Sequence, residues 1–187
     1  MNRPLLFDSV SDFSEGLAMV RLDSQLGYID LQGQLVITVT DAAVSLTYAQ
    51  SLAVARAGDY YGYLNRQGNW AIPVQFRQAK SFSEGLAAVQ GGNKYGFINL
   101  FGEWVIEPQF DLADPFAEGW AAVKLAEDYG FIDKTGHVVI PLTLKDAWSF
   151  SESLAVASLD RQYGYIDRGG TMAIAPVYDG AFNFSEG

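Results

Sequence analysis

The chain contains no cysteine and only one histidine among its 187 residues. The absence of cysteine excludes disulfides, thiolate metal sites and cysteine nucleophiles. With His137 as the single histidine, a multi-histidine metal site is excluded and a histidine-based triad is not expected. His137 directly follows a glycine that recurs along the chain, so we expect it to be an exposed residue beside a turn.

Basic residues are also scarce, with 12 Lys and Arg against 22 Asp and Glu and a net charge of −10. Nucleic acids and anionic membrane surfaces are bound by clustered Lys and Arg, so neither is an expected partner. No apolar run approaches the roughly 18 residues of a membrane helix. The first residues also lack the apolar core of a signal peptide. These features predict a soluble chain without direct membrane insertion, in a compartment that the sequence leaves unknown.

A pattern of about 34 residues recurs from one end of the chain to the other. Its anchors are an aromatic residue before an acidic turn ("FSEGLA" at 13–18), a G-[YF]-[IL]-[DN] motif ("GFIN" at 96–99), and a glycine six residues beyond the first glycine of that motif. The pattern predicts one array of five repeats, called repeats 1 to 5 below, with partial repeats at 1–12 and 184–187. The five repeats span 13–47, 48–81, 82–115, 116–149 and 150–183.

Each repeat holds three short runs typical of β-strands, for example "LAAVQ" (86–90), "YGFINL" (95–100) and "EWVIE" (103–107). No helical period is sustained, so we predict an all-β fold built of three-stranded units. Asp or Asn three residues before the recurring glycine predicts a type I turn with a glycine bulge. We favour an open solenoid or superhelical array, because three strands are few for a propeller blade. A five-bladed propeller-like ring is the alternative.

One position of the pattern is always alanine, which predicts close approach by a neighbouring strand or repeat. A larger side chain there would cost about 1–3 kcal/mol by overpacking, so Ala87→Leu is expected to destabilise the array. The alanines are Ala18, Ala53, Ala87, Ala121 and Ala155.

The combined pattern resembles the WG-repeat family of bacterial β-repeats. Repeat 3 carries the resemblance most fully, with "FSEGLAAV", "KYGFIN" and "FGEWVIEPQFD". The tryptophan that names the repeat is replaced by tyrosine in four repeats and by Leu26 in the first. The resemblance implies a non-catalytic repeat module, often part of a larger or cell-envelope protein. It supplies no catalytic residues, and the chain is expected to continue into further repeats or another domain.

Two acidic columns repeat in register, and both are interpreted as turn residues. One contains Glu15, Glu84, Glu118, Glu152 and Glu186, and the other contains Asp30, Asp133 and Asp167 with Asn65 and Asn99. Catalysis by paired carboxylates needs two groups in unlike environments, which a repeated column does not supply. A weak calcium-binding ladder is the alternative for these oxygens. We therefore expect no enzyme activity, no cofactor and no metal site.

The loop between the first two strands keeps its length but changes its sequence from repeat to repeat. Equivalent loops of a repeat array line up on one face, so we predict a surface that recognises a protein or other macromolecule. The candidate residues are Asp23, Gln25, Asp59, Tyr60, Asn93, Lys94, Glu127, Asp128, Asp160 and Arg161. The alternative is a glycan or cell-wall binding module that stacks sugars on an exposed aromatic ladder, Tyr61, Tyr95, Tyr129 and Tyr163.

Overall fold

The computed structural model describes residues 7–23, 25–39, 43–44 and 48–183, and these residues form strands and turns without a helix. They build five antiparallel sheets, none of which closes into a barrel. The predicted all-β fold of tandem repeats is confirmed. No helix in this described part of the chain has the length and apolar character needed to cross a bilayer.

The chain divides into two compact parts, Met1–Ser81 and Phe82–Gly187, which are described separately. The N-terminal part holds two four-stranded sheets. The first contains β1 (Ser9–Val10), β2 (Ala18–Leu22), β3 (Gln25–Ile29) and β4 (Leu35–Val39). The second contains β5 (Ala43–Val44), β6 (Leu52–Ala57), β7 (Tyr60–Asn65) and β8 (Trp70–Phe76).

The C-terminal part holds one three-stranded and two four-stranded sheets. The three-stranded sheet contains β9 (Leu86–Gly91), β10 (Lys94–Asn99) and β11 (Trp104–Phe110). The next contains β12 (Leu112–Ala113), β13 (Trp120–Leu125), β14 (Asp128–Asp133) and β15 (Val138–Leu144). The last contains β16 (Asp146–Ala147), β17 (Leu154–Ser158), β18 (Tyr163–Asp167) and β19 (Met172–Tyr178).

The three predicted strands are present in every repeat, but four of the sheets also contain a strand that the sequence analysis omitted. This extra strand has two residues and pairs with the first long strand, as Ala113 does with Val123. It lies at the end of the preceding sequence repeat, so a sheet begins before the repeat that supplies its other strands. The expected count of three strands per unit is corrected to four in these sheets, which is the number typical of a propeller blade.

The glycine of the G-[YF]-[IL]-[DN] motif is required because the third strand crosses it closely. A Cβ added at Gly96 would lie 2.4 Å from the carbonyl oxygen of Ile106. The pairing of β10 with β11 shifts register on both sides of Phe97, so the strand bends at this point. The other four motif glycines meet the equivalent isoleucine carbonyl at 2.4–2.6 Å.

Sheets in the C-terminal part pack face to face with the next sheet along the chain. The front face of the β9–β11 sheet presents Phe97, Ile106 and Phe110, and the rear face of the β12–β15 sheet presents Ala121 and Val123. The same relationship joins the front face of the β12–β15 sheet to the rear face of the β16–β19 sheet. The small alanines on each rear face leave room for the large side chains opposite, as the alanine column predicts.

The leading aromatic residue of each later repeat packs across this interface. Phe116 lies with its ring centroid 4.8 Å from that of Phe97, and Phe150 lies 4.8 Å from Phe131. The equivalent Phe13 of repeat 1 is instead 48% exposed, and Phe184 lies outside the described residues.

The N-terminal part buries three tyrosines at the aromatic positions, Tyr28, Tyr48 and Tyr63. The Tyr48 hydroxyl donates to the carbonyl of Asn65 at 2.9 Å, and the Tyr63 hydroxyl donates to that of Lys80 at 2.8 Å. Burial raises the pKa of Tyr48 to about 12 and raises those of Tyr28 and Tyr63 further. The phenols therefore remain neutral in the folded chain well above pH 10.

Candidate functional site

The predicted loop residues all lie at the hairpins that join the first two long strands of each repeat, called the loop tips below. Gly58, Gly92 and Ala126 have positive φ at their tips, with values of 61°, 66° and 55°. Ala126 shows that the hairpin geometry is kept even where glycine is absent. The exposed candidates are Asp23, Gln25, Asp59, Tyr60, Asn93, Glu127, Asp160 and Arg161, and the half-buried ones are Lys94 and Asp128.

In the C-terminal part, Asp111 joins the loop tips of repeats 3 and 4. Its Oδ1 accepts a hydrogen bond from the Lys94 ammonium at 2.5 Å, and its Oδ2 accepts one from the backbone N–H of Ala126 at 2.8 Å. These bonds, led by that from Lys94, lower the pKa of the Asp111 carboxyl. One carboxylate thus fixes two neighbouring tips side by side.

Lys145 occupies in repeat 4 the position that Asp111 occupies in repeat 3. The charges are exchanged, because the tip residue is the base Lys94 in repeat 3 and the acid Asp128 in repeat 4. Its ammonium donates to Asp128 Oδ1 at 2.6 Å. The hydrogen bond and charge of Asp128 raise the pKa of Lys145, with smaller contributions from Glu127 and Asp160. Asp128 at the tip of repeat 4 is bonded to this cation and Asp160 at the tip of repeat 5 lies near it, and the tips of repeats 3, 4 and 5 are called the row below.

Sequence analysis missed Asp111 and Lys145, although a signal for both is present. The pairs Lys94–Asp111 and Asp128–Lys145 have the same separation of 17 residues and opposite polarity. When two positions at the same spacing exchange acid and base between successive repeats, the side chains at those positions are expected to contact each other. Comparing the charges of repeats 3 and 4 therefore predicts both ion pairs from the sequence.

These ion pairs separate the tip residues into two groups. Lys94 and Asp128 are held by their partners, whereas the exposed Glu127, Asp160 and Arg161 project from the row. A recess of about 230 Å³ lies beside Asp160 and Arg161 and is also bounded by Leu159, Gln162 and Pro176. The row thus combines fixed backbone positions with exposed charges, and acids outnumber bases among the candidates.

The four ladder tyrosines, Tyr61, Tyr95, Tyr129 and Tyr163, are each half-buried. Tyr95 and Tyr129 pack against core clusters, and the Lys124 ammonium lies 5.2 Å from the Tyr129 ring centroid. The Tyr163 hydroxyl donates to Asp146 at 3.0 Å, which raises the pKa of Tyr163. Each of the four residues remains partly exposed, while Tyr63, Phe97 and Phe131, two residues further along their strands, are buried in the core, and Tyr165 is half-buried.

The acidic turn of "FSEGLA" is a two-residue hairpin with an uncommon backbone. In repeat 1 the backbone groups of Ser14 and Leu17 exchange two hydrogen bonds around Glu15 and Gly16. Both central residues have positive φ, 51° and 78°, as a type I′ turn requires. A glutamate in this conformation costs about 1–2 kcal/mol, so the surrounding structure must offset that cost.

The carboxylate of the turn glutamate supplies the compensating contacts, because it reaches the turn of the next repeat. Glu15 accepts from the backbone N–H groups of Gln50 and Ser51, at 2.7 and 2.9 Å. Glu84 accepts from Gly119 at 2.9 Å. The column assigned from sequence to turns therefore also joins successive repeats.

A cation from the following repeat lies beside three of these glutamates. Arg66 is 3.8 Å from the Glu15 carboxylate, Lys134 is 3.1 Å from that of Glu84, and Arg168 is 3.8 Å from that of Glu118. Arg66 and Arg168 also donate to the carbonyl oxygens of the same glutamates, at 2.9 and 2.7 Å.

The second acidic column caps the predicted type I turns. Asp30 Oδ1 accepts from the backbone N–H groups of Gln32 and Gln34, and the Gly33 N–H donates to the Asp30 carbonyl. The positive φ of Gly33 completes the predicted glycine bulge. Within the described residues, no group of three or more His, Asp or Glu is arranged to hold a metal ion.

The family model for the WG containing repeat matches residues 4–25, 61–95, 95–127, 129–161 and 163–187. The chain belongs to the WG containing repeat family. This confirms the resemblance seen in the sequence, including repeats in which tyrosine replaces the tryptophan.

A search of curated protein sequences gave no match. Solved structures that share the fold at low identity include BamB from Moraxella catarrhalis and Hsv2 from Kluyveromyces lactis. BamB is 12% identical, with a TM-score of 0.56, and the match covers 88% of this chain and 59% of BamB. Hsv2 is 11% identical, with a TM-score of 0.55, and the match covers 88% of this chain and 63% of Hsv2. The chain therefore spans about three fifths of each neighbour.

These neighbours are β-propellers. At such low identity the likeness concerns the fold alone. The likeness is consistent with the alternative of a propeller-like arrangement of the repeats. The expectation of an open array was based on three strands per repeat, and four of the sheets have four strands.

Proposed function

We propose that this WG-repeat chain is a non-catalytic module that binds a protein partner through its loop tips. The observation that carries the proposal is the Asp111 carboxylate, which binds the tips of repeats 3 and 4 to each other, together with the ion pair of Lys145 to Asp128 at the repeat 4 tip. Loops that vary in sequence but are fixed in position are the arrangement that rigid scaffolds use for recognition. Fixed tips also lose little conformational entropy when a partner binds.

The exposed charges indicate the kind of protein surface that the row would bind. Glu127 and Asp160 are exposed acids beside one exposed base, Arg161, and the whole chain carries a net charge of −10. A basic partner surface would be attracted at long range and would associate faster at low salt. We therefore propose a basic protein surface as the ligand of the row.

The test compares two variants with the same change in net charge. Glu127→Gln with Asp160→Asn removes two exposed acids from the tips. Phe101→Lys with Thr171→Lys adds two positive charges at exposed turns that follow β10 and β18, at the ends of these strands that lie away from the tips. Partners are captured from the source cells on the natural chain, purified, and titrated against all three proteins at two salt concentrations. Selective loss in the tip variant supports the proposal, and equal loss in both variants contradicts it.

Glycan binding is the second candidate, supported by the accessible part of the tyrosine ladder. Tyr163 and Trp148 both contact the Asp146 carboxylate, through the hydroxyl at 3.0 Å and the indole N–H at 3.4 Å. Aromatic rings beside a carboxylate offer stacking and hydrogen bonding to a sugar. Glycan-array binding that Tyr95→Ala and Tyr129→Ala abolish would favour this function over the protein partner.

A further inference from the structure

The last strand of the first sheet, β4, differs in sequence from the last strands of the other four sheets. Each of those strands contains a proline, which removes a backbone N–H and discourages pairing with a further strand. β4 reads LVITV and contains no proline. Its last four residues are β-branched, which favours an extended strand. The prolines of the other last strands are Pro73 in β8, Pro108 in β11, Pro141 in β15 and Pro176 in β19.

β4 also lacks the bulge that bends the other last strands beside the motif glycine. In the β9–β11 sheet the pairing shifts register on both sides of Phe97, and the other three sheets shift at the equivalent residue. In the first sheet, by contrast, residues 26–28 pair with residues 39–37 in unbroken register, and the one shift lies between Tyr28 and Ile29. β4 is therefore regular where its equivalents bulge, and a bulge turns a strand edge away from further pairing.

The open edge of β4 presents the backbone N–H and C=O of Thr38. Among the described strands β4 pairs with β3 alone, at the end of the order β1-β2-β3-β4. The Ile37 carbonyl faces Gly27 of β3, since a Cβ added at Gly27 would lie 2.6 Å from its oxygen. Adjacent residues of an antiparallel strand direct their backbone groups to opposite sides, so those of Thr38 point away from β3. Thr38 is exposed, whereas Ile37 and Val39 are buried.

The sequence along this edge carries no charge. No Asp, Glu, Lys or Arg occurs from Leu31 to Thr40, although the whole chain carries a net charge of −10. In repeat 3 the position of Thr38, directly after the isoleucine, holds the exposed acid Glu107. Val36 on β4 is 49% exposed and adds apolar surface. The charges that discourage pairing at other strand edges are therefore missing from this one.

We propose that β4 is a self-association edge through which two copies of this chain pair antiparallel, about a twofold axis at Thr38. The two Thr38 residues would exchange N–H to C=O hydrogen bonds, and Ile37 would lie opposite Val39 of the second copy. Threonine opposite threonine is a favourable cross-strand pair. Because the first sheet of each copy has four strands, the dimer would contain one continuous sheet of eight.

The charge pattern favours a second copy over an unrelated peptide as the occupant of this edge. Two identical uncharged strands meet without placing like charges opposite each other, although both chains are acidic. The twofold pairing uses the same edge of both copies, and prolines lie on the other last strands, so association stops at the dimer. The edge belongs to the N-terminal part and the tip row to the C-terminal part, so this proposal does not depend on the proposed function.

The experiment measures the molar mass of the natural chain by sedimentation across about a hundredfold range of concentration. We expect an equilibrium between monomer and dimer. Thr38→Pro removes the outward N–H at the position that proline occupies in repeats 2 and 4, so it should weaken the dimer at least about tenfold. Thermal unfolding at a concentration where the natural chain is monomeric checks that the variant is folded.

A pair of lysine variants separates the β4 edge from a general effect of charge. Val36→Lys brings a positive charge from each copy to the seam and should also weaken the dimer at least about tenfold. Val105→Lys is the matched control, because Val105 precedes Ile106 as Val36 precedes Ile37 and is 43% exposed. This control should leave the dimer unchanged.

A single introduced thiol tests the register, since the chain has no cysteine of its own. Thr38→Cys places the two thiols opposite each other on the twofold axis, within the range of Cα separations that a disulfide spans. Oxidation with diamide should therefore give a covalent dimer. Glu107→Cys, at the equivalent position of β11, should cross-link at least about tenfold more slowly.

Three results would overturn the proposal. The first is a natural chain that stays monomeric across the whole concentration range, including one whose β4 edge is protected from hydrogen exchange only by another protein. The second is a dimer that Thr38→Pro and Val36→Lys leave intact, or that Val105→Lys weakens equally. The third is equal cross-linking of the two cysteine variants, because the copies would then not meet at Thr38.

Discussion

The carboxylate of Glu118 accepts a hydrogen bond from the backbone N–H of Ser153, 35 residues further on, at 3.0 Å. The same residue is held at φ 52°, and its carbonyl accepts from Arg168 at 2.7 Å. Arg168 lies in turn 4.1 Å from the Trp120 ring centroid. A residue in an unfavourable backbone conformation thus makes the polar contacts between two repeats.

Replacing Glu118 by alanine should weaken the joint between repeats 4 and 5. We expect a loss of about 1–2 kcal/mol in the free energy of unfolding, because charge-assisted hydrogen bonds to the turn disappear. Glu152→Ala is the matched control, since its φ of 54° imposes the same backbone strain. Urea denaturation of both variants measures the difference. Equal losses would show that the contact to Ser153 contributes nothing measurable.

Gly96→Ala should destabilise the chain by about 3 kcal/mol or more, because the new Cβ cannot avoid the backbone of β11. The clash at 2.4 Å involves the carbonyl of Ile106, which a side-chain rotation cannot relieve. Gly180→Ala is the control, since a Cβ there meets no atom within 4 Å and φ is not left-handed. Thermal unfolding of the two variants checks this, and similar melting temperatures would refute the close-approach explanation.

Ser153→Gly should stabilise the chain by about 0.5–1 kcal/mol, since glycine adopts the left-handed backbone without steric cost. Ser153 has φ 65° at the position that glycine occupies in repeats 1, 3 and 4. The backbone N–H that binds Glu118 is unchanged. Ser153→Ala should give no such gain, because alanine retains the Cβ. A gain of equal size in both variants would mean that the serine hydroxyl, and not φ, sets the stability.

The three buried tyrosines of the N-terminal part predict a loss of stability at high pH. In the folded chain their pKa values lie above the ordinary 10.0, because burial disfavours the phenolate. Their contribution is fully present below pH 10 and declines as pH rises through the folded values. The slope above pH 10 is about 1.4 kcal/mol per pH unit for each tyrosine that stays neutral.

The check uses the ultraviolet absorbance of tyrosinate, together with unfolding at pH 9 and pH 11. Tyr28→Phe and Tyr63→Phe should reduce the loss of stability, whereas Tyr60→Phe, at an exposed position, should not. Ionisation of all ten tyrosines near pH 10 without unfolding would contradict the buried assignment.

The turns and long strands could be predicted because their causes are local. Asp30 and Gly33 specify a turn within four residues. The alanine that recurs in every repeat indicates that another side chain packs closely against that position. The two-residue strand at Leu112–Ala113 is too short to show the alternation typical of a strand, and it is defined by its pairing with β13. The contact from Glu118 to Ser153 depends on how two sheets stack, which the repeat period does not specify.

The placement of the variable loops at hairpins was predictable from the loops themselves, whereas the contacts that support them could be read only from charges elsewhere in each repeat. The variable loops at Asn93, Glu127 and Asp160 do lie at one set of hairpins, as expected for a repeat array. What the loop sequences do not contain is the support from Asp111 and Lys145, which lie 17 residues from their partners. Those contacts are tertiary, and they fix the positions of the repeat 3 and repeat 4 tips.

The central claim is that the tip row of repeats 3 to 5 binds a basic protein surface, and the dissociation constant of the purified partner tests it most directly. Titration at low and physiological salt should give at least about fivefold weaker binding for Glu127→Gln with Asp160→Asn than for the natural chain, and a reduced salt dependence. Phe101→Lys with Thr171→Lys should remain within about twofold. Equal dissociation constants for the two double variants would contradict the account.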